Sequence, residues 1–262
     1  MTILRRATYH TLGVMNDVFG LKTKVFVLCY HGISTDSWRF NISIDEFKKQ
    51  INFLLEKYSP ITINDFEDYL SGKHDVKKPS FLLTFDDGYE NVMKVRSFLK
   101  NKKIKPMLFL LGNSDKANKT ELGYDGTFLK ADQIKKLMSD GWTIGCHSMT
   151  HANLKTIQLS KMPYETRDAK DELQKKLGKE IKYYAYPRGK YNNEIVEAIK
   201  QSGFQFGFTM DDSFINEKTS RLAIPRIGVD KTHSFGEFKR LFTPLAVMAR
   251  MGVKKSFLNN YL

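Results

Sequence analysis

Short apolar runs rich in β-branched and aromatic residues alternate with longer stretches of helical spacing along almost the whole chain. That alternation restricts the fold more than any other feature, because strand-then-helix repetition builds a parallel sheet covered by helices. The strand-like runs are residues 25–30, 80–85, 106–111, 143–146, 183–186, 206–209 and 222–227. Between the first two, Ser43-Ile-Asp-Glu46 forms a capping box that opens a helix through Leu55, with Phe47, Ile51, Leu54 and Leu55 at helical spacing. Asn64 can cap a second helix that ends near Gly72. Residues 90–101, 131–139, 164–177 and 192–202 also have helical character, with Gly141, Gly178 and Gly203 placed to stop three of them. Seven such units suit a barrel or a doubly wound sheet. No repeat, low-complexity tract or Gly/Ser/Pro linker divides the sequence, so a single domain over residues 1–262 is expected, with basic amphipathic ends at 1–23 and 240–262.

Composition agrees with a packed core. Apolar residues are 41% and charged residues 27%, which excludes disorder as a description of the whole. Cys29 and Cys146 are too few for a disulfide scaffold. No run approaches the roughly 18–20 apolar residues that span a bilayer. The first twenty residues lack the apolar stretch and small-residue cleavage site of a signal peptide, so a cytoplasmic location is expected. The formal charge is +13. Part of that charge is concentrated, since residues 240–262 contain Arg240, Arg250, Lys254 and Lys255, interleaved with apolar side chains, and no acid. Such a tail suits either an anionic membrane surface, here the inner face, or plain packing of a terminal helix on the body. No helix-turn-helix, zinc-finger or ribonucleoprotein motif accompanies the charge, so a nucleic-acid partner is not expected.

In parallel α/β folds the chemistry sits beyond the carboxyl ends of the strands. The residues that follow the runs are His31; Asp86 and Asp87; Asn113; His147 and His151; Arg188 and Tyr191; Asp211 and Asp212; the last run contains Arg226 near its end. Three of the six histidines therefore fall on one predicted rim. In Thr84-Phe-Asp-Asp-Gly88, adjacent side chains diverge, so one carboxylate can hold a metal while the other acts as a base. In His147-Ser-Met-Thr-His151, the spacing of four on a helical turn brings both imidazoles to one face, as a divalent metal needs. One carboxylate and two imidazoles make an open site suited to zinc, with cobalt, nickel or manganese as alternatives. Cys146 reads as a small core residue. Tyr89, Tyr186 and Tyr191 are expected at the surface, where they could stack on sugar rings.

Thr84-Phe-Asp-Asp-Gly88, His147-Ser-Met-Thr-His151 and Tyr184-Ala-Tyr-Pro-Arg-Gly189, in this order, resemble the successive motifs of the polysaccharide deacetylase family (NodB-homology domain, carbohydrate esterase family 4). The resemblance runs from about Lys24 to Phe238. It implies a distorted (β/α)7 barrel and metal-dependent removal of an N-acetyl group from an amino sugar in a glycan or lipid-linked glycan precursor. It assigns Asp86 as catalytic base, Asp87, His147 and His151 as ligands of a divalent metal, most suitably Zn2+, and the backbone N–H of Arg188 as oxyanion donor. The metal would polarise the acetyl carbonyl and acidify its water, and a histidine would protonate the leaving amine. The late Leu-x-His motif that carries this acid in many members is absent. Cys29-Tyr-His-Gly-Ile33 instead resembles an early motif of the subgroup that includes biofilm poly-N-acetylglucosamine deacetylases, which favours His31 as the acid over His233. The usual arginine partner of the base is missing near Tyr186, as is a late Trp. Arg226 is expected either to replace that partner or to bind substrate. The competing function is a carbohydrate-binding protein with an inactive deacetylase site.

Overall fold

The computed structural model of the chain describes residues 2–20 and 23–259. Its strands are β1 Val25–Tyr30, β2 Gly32–Ile33, β3 Asn41–Ile42, β4 Ser59–Pro60, β5 Ser80–Phe85, β6 Met107–Leu110, β7 Thr143–Cys146, β8 Tyr183–Ala185, β9 Phe206–Phe208 and β10 Ile227–Gly228. The main sheet runs β10-β1-β5-β6-β7-β8-β9, with β4 paired to β5, and every pairing in it is parallel. A parallel bridge between Phe208 and Ile224 brings the end of β9 to the segment that leads into β10. The curled sheet with helices outside it is the distorted barrel that the motifs implied.

Side-chain alternation explains both the core and the site. β1 and β5 are buried at every position, as strands covered on both faces must be. Phe26, Leu28, Tyr30, Phe81, Leu83 and Phe85 face outward into one apolar cluster with Phe47, Ile51 and Leu54 of the helix Ile44–Lys57. Val25, Val27, Leu82, Phe109 and Phe208 form a second cluster that plugs the barrel. The period of two then puts Cys29 above Val27, and Thr84 and Asp86 above Leu82, on the inner face near the carboxyl rim.

Six of the seven expected runs are strands within one residue or so at each end, and the seventh is displaced. Pro225 has no N–H to donate, so the segment 222–226 forms a single bridge to β9, at Ile224, and pairing with β1 begins at Ile227. The expected caps are present at Ser43, whose side chain accepts from Glu46 N–H, and at Asn192, which accepts from Ile195 N–H. The second helix is capped by Thr62 through a reciprocal box with Asp65, two residues before the expected Asn64. Residues 90–101 divide into a 3-10 stretch, Glu90–Val95, and a short α-helix, Arg96–Asn101. Residues 164–177 begin with a single π-helical turn, Tyr164–Asp168, before the α-helix Ala169–Leu177.

The ends form helices Thr2–Val18 and Pro244–Asn259 that pack together. Arg250 donates to Asp212 at 2.5 Å, to the Tyr9 hydroxyl at 3.2 Å and to Leu241 O at 2.6 Å, so its charge ties the terminal helix to the body. Of the two readings of the basic tail, packing therefore accounts for Arg250; Lys254 and Lys255 lie outside the described side chains. No helix of the described residues is long and apolar enough to cross a membrane.

Candidate active site

The two adjacent aspartates leave β5 in different directions because Asp87 adopts a left-handed backbone, φ +70°, followed by Gly88 at φ +78°. Asp86 stays on the inner face. Arg226, buried to 1% exposure, grips it in two parallel bonds of 2.7 Å, Nη1 to Oδ1 and Nη2 to Oδ2. The guanidinium also donates to Thr84 Oγ1 at 3.2 Å and to Thr209 O at 3.1 Å, which fixes its plane. The Cys29 thiol donates to Asp86 Oδ2 at 3.3 Å. Burial alone would raise the Asp86 carboxyl, but Arg226 and His147 hold it below the usual carboxylate range. Asp86 is thus ionised at neutral pH and strongly oriented. Of the two expectations for Arg226, the one realised here is partnership with Asp86, and its full burial leaves the guanidinium no surface for substrate.

Asp87 turns toward the end of β7. Its Oδ1 lies 3.4 Å from His147 Nε2 and 3.6 Å from His151 Nε2. His147 Nδ1 is 2.8 Å from Ala185 O, a bond that needs the proton on Nδ1 and leaves the Nε2 lone pair facing Asp87. Oδ1 of Asp87 is buried and no hydrogen bond reaches it. A buried carboxylate oxygen without a donor, converging with two imidazole nitrogens, has the donor chemistry of a divalent-cation site. One ligand atom from each of Asp87, His147 and His151 lies within 4.8 Å of the others. Burial lowers His151 to about 4, and burial also opposes charge on His147, but Asp86 and Asp87 outweigh it there and raise His147 above its ordinary value.

The four-residue spacing of the histidines does not come from a helical turn. Residues 147–151 are a loop in which Ser148, at φ +65°, and His151, at φ +63°, are both left-handed. The imidazoles still meet, with ring centroids 5.0 Å apart.

His31 follows β1 directly. One of its ring nitrogens, Asp86 and Cys29 offer atoms within 4.8 Å of one another. Its Nδ1 is buried without a partner, and the ring packs against Phe40 at 4.8 Å and Trp38 at 5.8 Å. Burial lowers its pKa. His233 stands elsewhere, with Nδ1 against Asp230 at 3.4 Å and the residue lining a separate cavity with Ser34, Glu46 and Lys231.

After β8 the chain turns through Pro187–Gly189 with Arg188 at φ +57°. Its N–H meets no backbone carbonyl of the described residues, while its exposed side chain reaches away to Glu121, 3.0 Å from the carboxylate. Tyr191 is half-buried and donates to Asp211 at 2.6 Å. Two of the expected surface tyrosines are not at the surface. Tyr186 is fully buried and donates to Leu222 O at 2.8 Å, because the extended backbone after β8 continues under segment 206–222. Tyr89 is fully buried among Trp38, Tyr124 and Phe128. Sequence reasoning missed Cys29 as a neighbour of Asp86, Trp38 beside His31, and Glu165, which accepts from Met149 N–H, Thr150 N–H and the Thr150 hydroxyl.

The family profile for polysaccharide deacetylase matches residues 73–207, just over half of the chain. The chain belongs to the polysaccharide deacetylase family. The matched segment holds Asp86, Asp87, His147, His151 and Arg188, and leaves His31, Arg226 and His233 outside it. The peptidoglycan-N-acetylmuramic acid deacetylase PdaA of Bacillus subtilis is 29% identical over 182 residues, 66% of this chain and 60% of that protein. The poly-β-1,6-N-acetyl-D-glucosamine N-deacetylase of Staphylococcus epidermidis is 27% identical over 202 residues, 72% of this chain and 68% of that protein. The chain spans 52% to 75% of the lengths of its first curated relatives. Among solved structures, IcaB from Ammonifex degensii superposes with a TM-score of 0.72 at 23% identity, covering 86% of this chain and 98% of that one. The Streptococcus pyogenes deacetylase PplD, solved with acetate, gives 0.71 at 23% identity over 85% and 99%. These two likenesses establish the deacetylase fold.

Proposed function

We propose that this polysaccharide deacetylase removes acetyl groups from the N-acetylated amino sugars of a cell-surface glycan or its precursor, with Asp86 as base and His31 as acid beside a divalent cation. The observation that supports it most is the convergence of Asp87, His147 and His151 next to an aspartate held ionised by Arg226. The donor set fits zinc; a cation held by those three residues would supply Lewis acidity to the amide carbonyl and acidity to water.

The chain's own groups divide the remaining work. Asp86 receives the proton that water loses, and its bidentate clamp keeps it from turning away. The Arg188 N–H, at the rim of the neighbouring strand, is the hydrogen-bond donor for the amide oxygen as charge builds on it. His31 is neutral before the reaction because burial disfavours its charged form. It therefore gains its proton from the Asp86 side of the site, within 4.8 Å, and delivers it to the leaving amine.

The names of the relatives support an N-acetylated sugar as substrate, and the linkage is open to test. Acetate release should be followed on N-acetylglucosamine oligosaccharides of β-1,4 and β-1,6 linkage. His31→Gln is expected to lower the rate by about 10²–10⁴-fold, the usual worth of a general acid or base. His233→Gln should leave it within a few-fold of wild type. The reverse order would move the acid to His233. Zinc binding without acetate release on any N-acetylated glycan would favour the binding-protein alternative.

A further inference from the structure

The loop that carries both imidazoles is held in an unfavourable backbone shape from two sides. On one side, the carbonyls of Ser148, Met149 and Thr150 accept from Gly112 N–H at 2.9 Å, Asn113 N–H at 3.0 Å and Asn118 N–H at 2.7 Å. On the other, Met149 and Thr150 N–H both donate to Glu165 Oε2 at 3.0 Å, and the Thr150 hydroxyl donates to Oε1 at 2.7 Å. His151 N–H closes the loop on Ser148 Oγ at 2.9 Å. Glu165 is 4% exposed, and these donors satisfy its carboxyl oxygens in that buried setting. It comes from the π-helical turn Tyr164–Asp168, whose widened ring displaces a residue from regular helical register.

We infer that Glu165 is a positioning residue for the metal centre, setting the left-handed backbone of Ser148 and His151 so that Nε2 of His151 meets Asp87. The inference rests on the reading of Asp87, His147 and His151 as metal ligands. Its physical basis is the accounting of donors. Without the carboxylate, two buried N–H groups lose their acceptor, and non-glycine residues at positive φ lose the contacts that oppose their strain. His147 is less exposed to the loss, because it sits at the end of β7 with its N–H on Leu110 O and its ring on Ala185 O. The effect should therefore fall on one ligand of three.

The test measures metal binding and turnover separately. Wild type, Glu165→Leu and Thr150→Val are stripped with chelator and titrated with Zn2+ against a chromophoric competitor; the Co2+ forms are compared by visible absorption. Glu165→Leu, which offers neither N–H an acceptor, should bind Zn2+ about 10–100-fold more weakly, in line with outer-shell partners of metal ligands. Its Co2+ spectrum should change, and excess Zn2+ should recover most of the acetate release. Thr150→Val keeps both backbone donors and should show a smaller loss in the same direction. An unchanged affinity and Co2+ spectrum in folded variants, whatever their melting temperatures, would overturn the inference. Should Glu165→Leu not fold, unchanged affinity in Thr150→Val would overturn it. Wild type binding no metal would instead remove the metal reading beneath it.

Discussion

Asp86→Asn should reduce acetate release by about 10²–10⁴-fold while the protein still binds one equivalent of Zn2+. The loss follows from geometry, because Asp86 is the carboxylate left beside the ligand set once Asp87 is committed to the imidazoles. The same substitution carries a folding cost. It leaves the Arg226 guanidinium buried and without its counter-charge, a change worth about 3–5 kcal/mol. The melting temperature should therefore fall by roughly 10 °C in a domain of this size. Reduced activity alone would not separate chemistry from unfolding. Pairing the change with Arg226→Met removes the orphaned charge, and the double variant should regain most of the melting temperature and none of the rate. A double variant that recovers turnover would remove Asp86 from the reaction.

His147→Ala should lose metal and turnover together, bringing acetate release to background with Asp86 intact. Asp87 would keep one imidazole, His151, and the Ala185 carbonyl would lose its donor. Comparison with Asp86→Asn separates the base from the ligand set by phenotype, since one variant keeps the cation and the other does not. His147 also governs the response to pH. Asp86 and Asp87 raise its pKa above the ordinary histidine value, so a proton competes for Nε2 already at pH values where a free histidine is neutral. Metal affinity and activity should therefore fall as pH drops through that raised value, and added Zn2+ should move the midpoint to lower pH. Asp86 does not set this limb, because Arg226 and His147 hold it ionised across the same range. A midpoint indifferent to Zn2+ concentration would contradict the assignment of His147.

Much of this site was legible because parallel strands place chemistry at their carboxyl ends. His31, Asp86 and His147 each follow a strand directly, and Asp87 comes one residue later, so locating the strand located the residue. Cys29 was legible in principle, two positions from Val27 on the inner face, but its contact with Asp86 depends on the register Cys29↔Thr84 across β1 and β5, which no local pattern states. Arg226 remained open between two roles for the same reason. It lies 140 residues from Asp86, and only closure of the barrel brings them together. The His147–His151 spacing suggested a helical turn because a spacing of four does not distinguish a helix from a loop with two left-handed residues. Tyr186 was expected outside at the end of its strand-like run, yet the extended backbone continues past β8 and buries it. Glu165 gave no signal at all, because a buried acid in a helical stretch declares itself only through the loop it touches.

Acetate release should require the cation site of Asp87, His147 and His151. The direct measurement is a titration of chelator-stripped wild-type protein with Zn2+, following bound metal and acetate release from N-acetylglucosamine oligosaccharides in the same samples. The expected result is negligible release without metal, rising in proportion to occupancy and levelling at one equivalent. Full release from stripped protein, or full occupancy with no release, would contradict it.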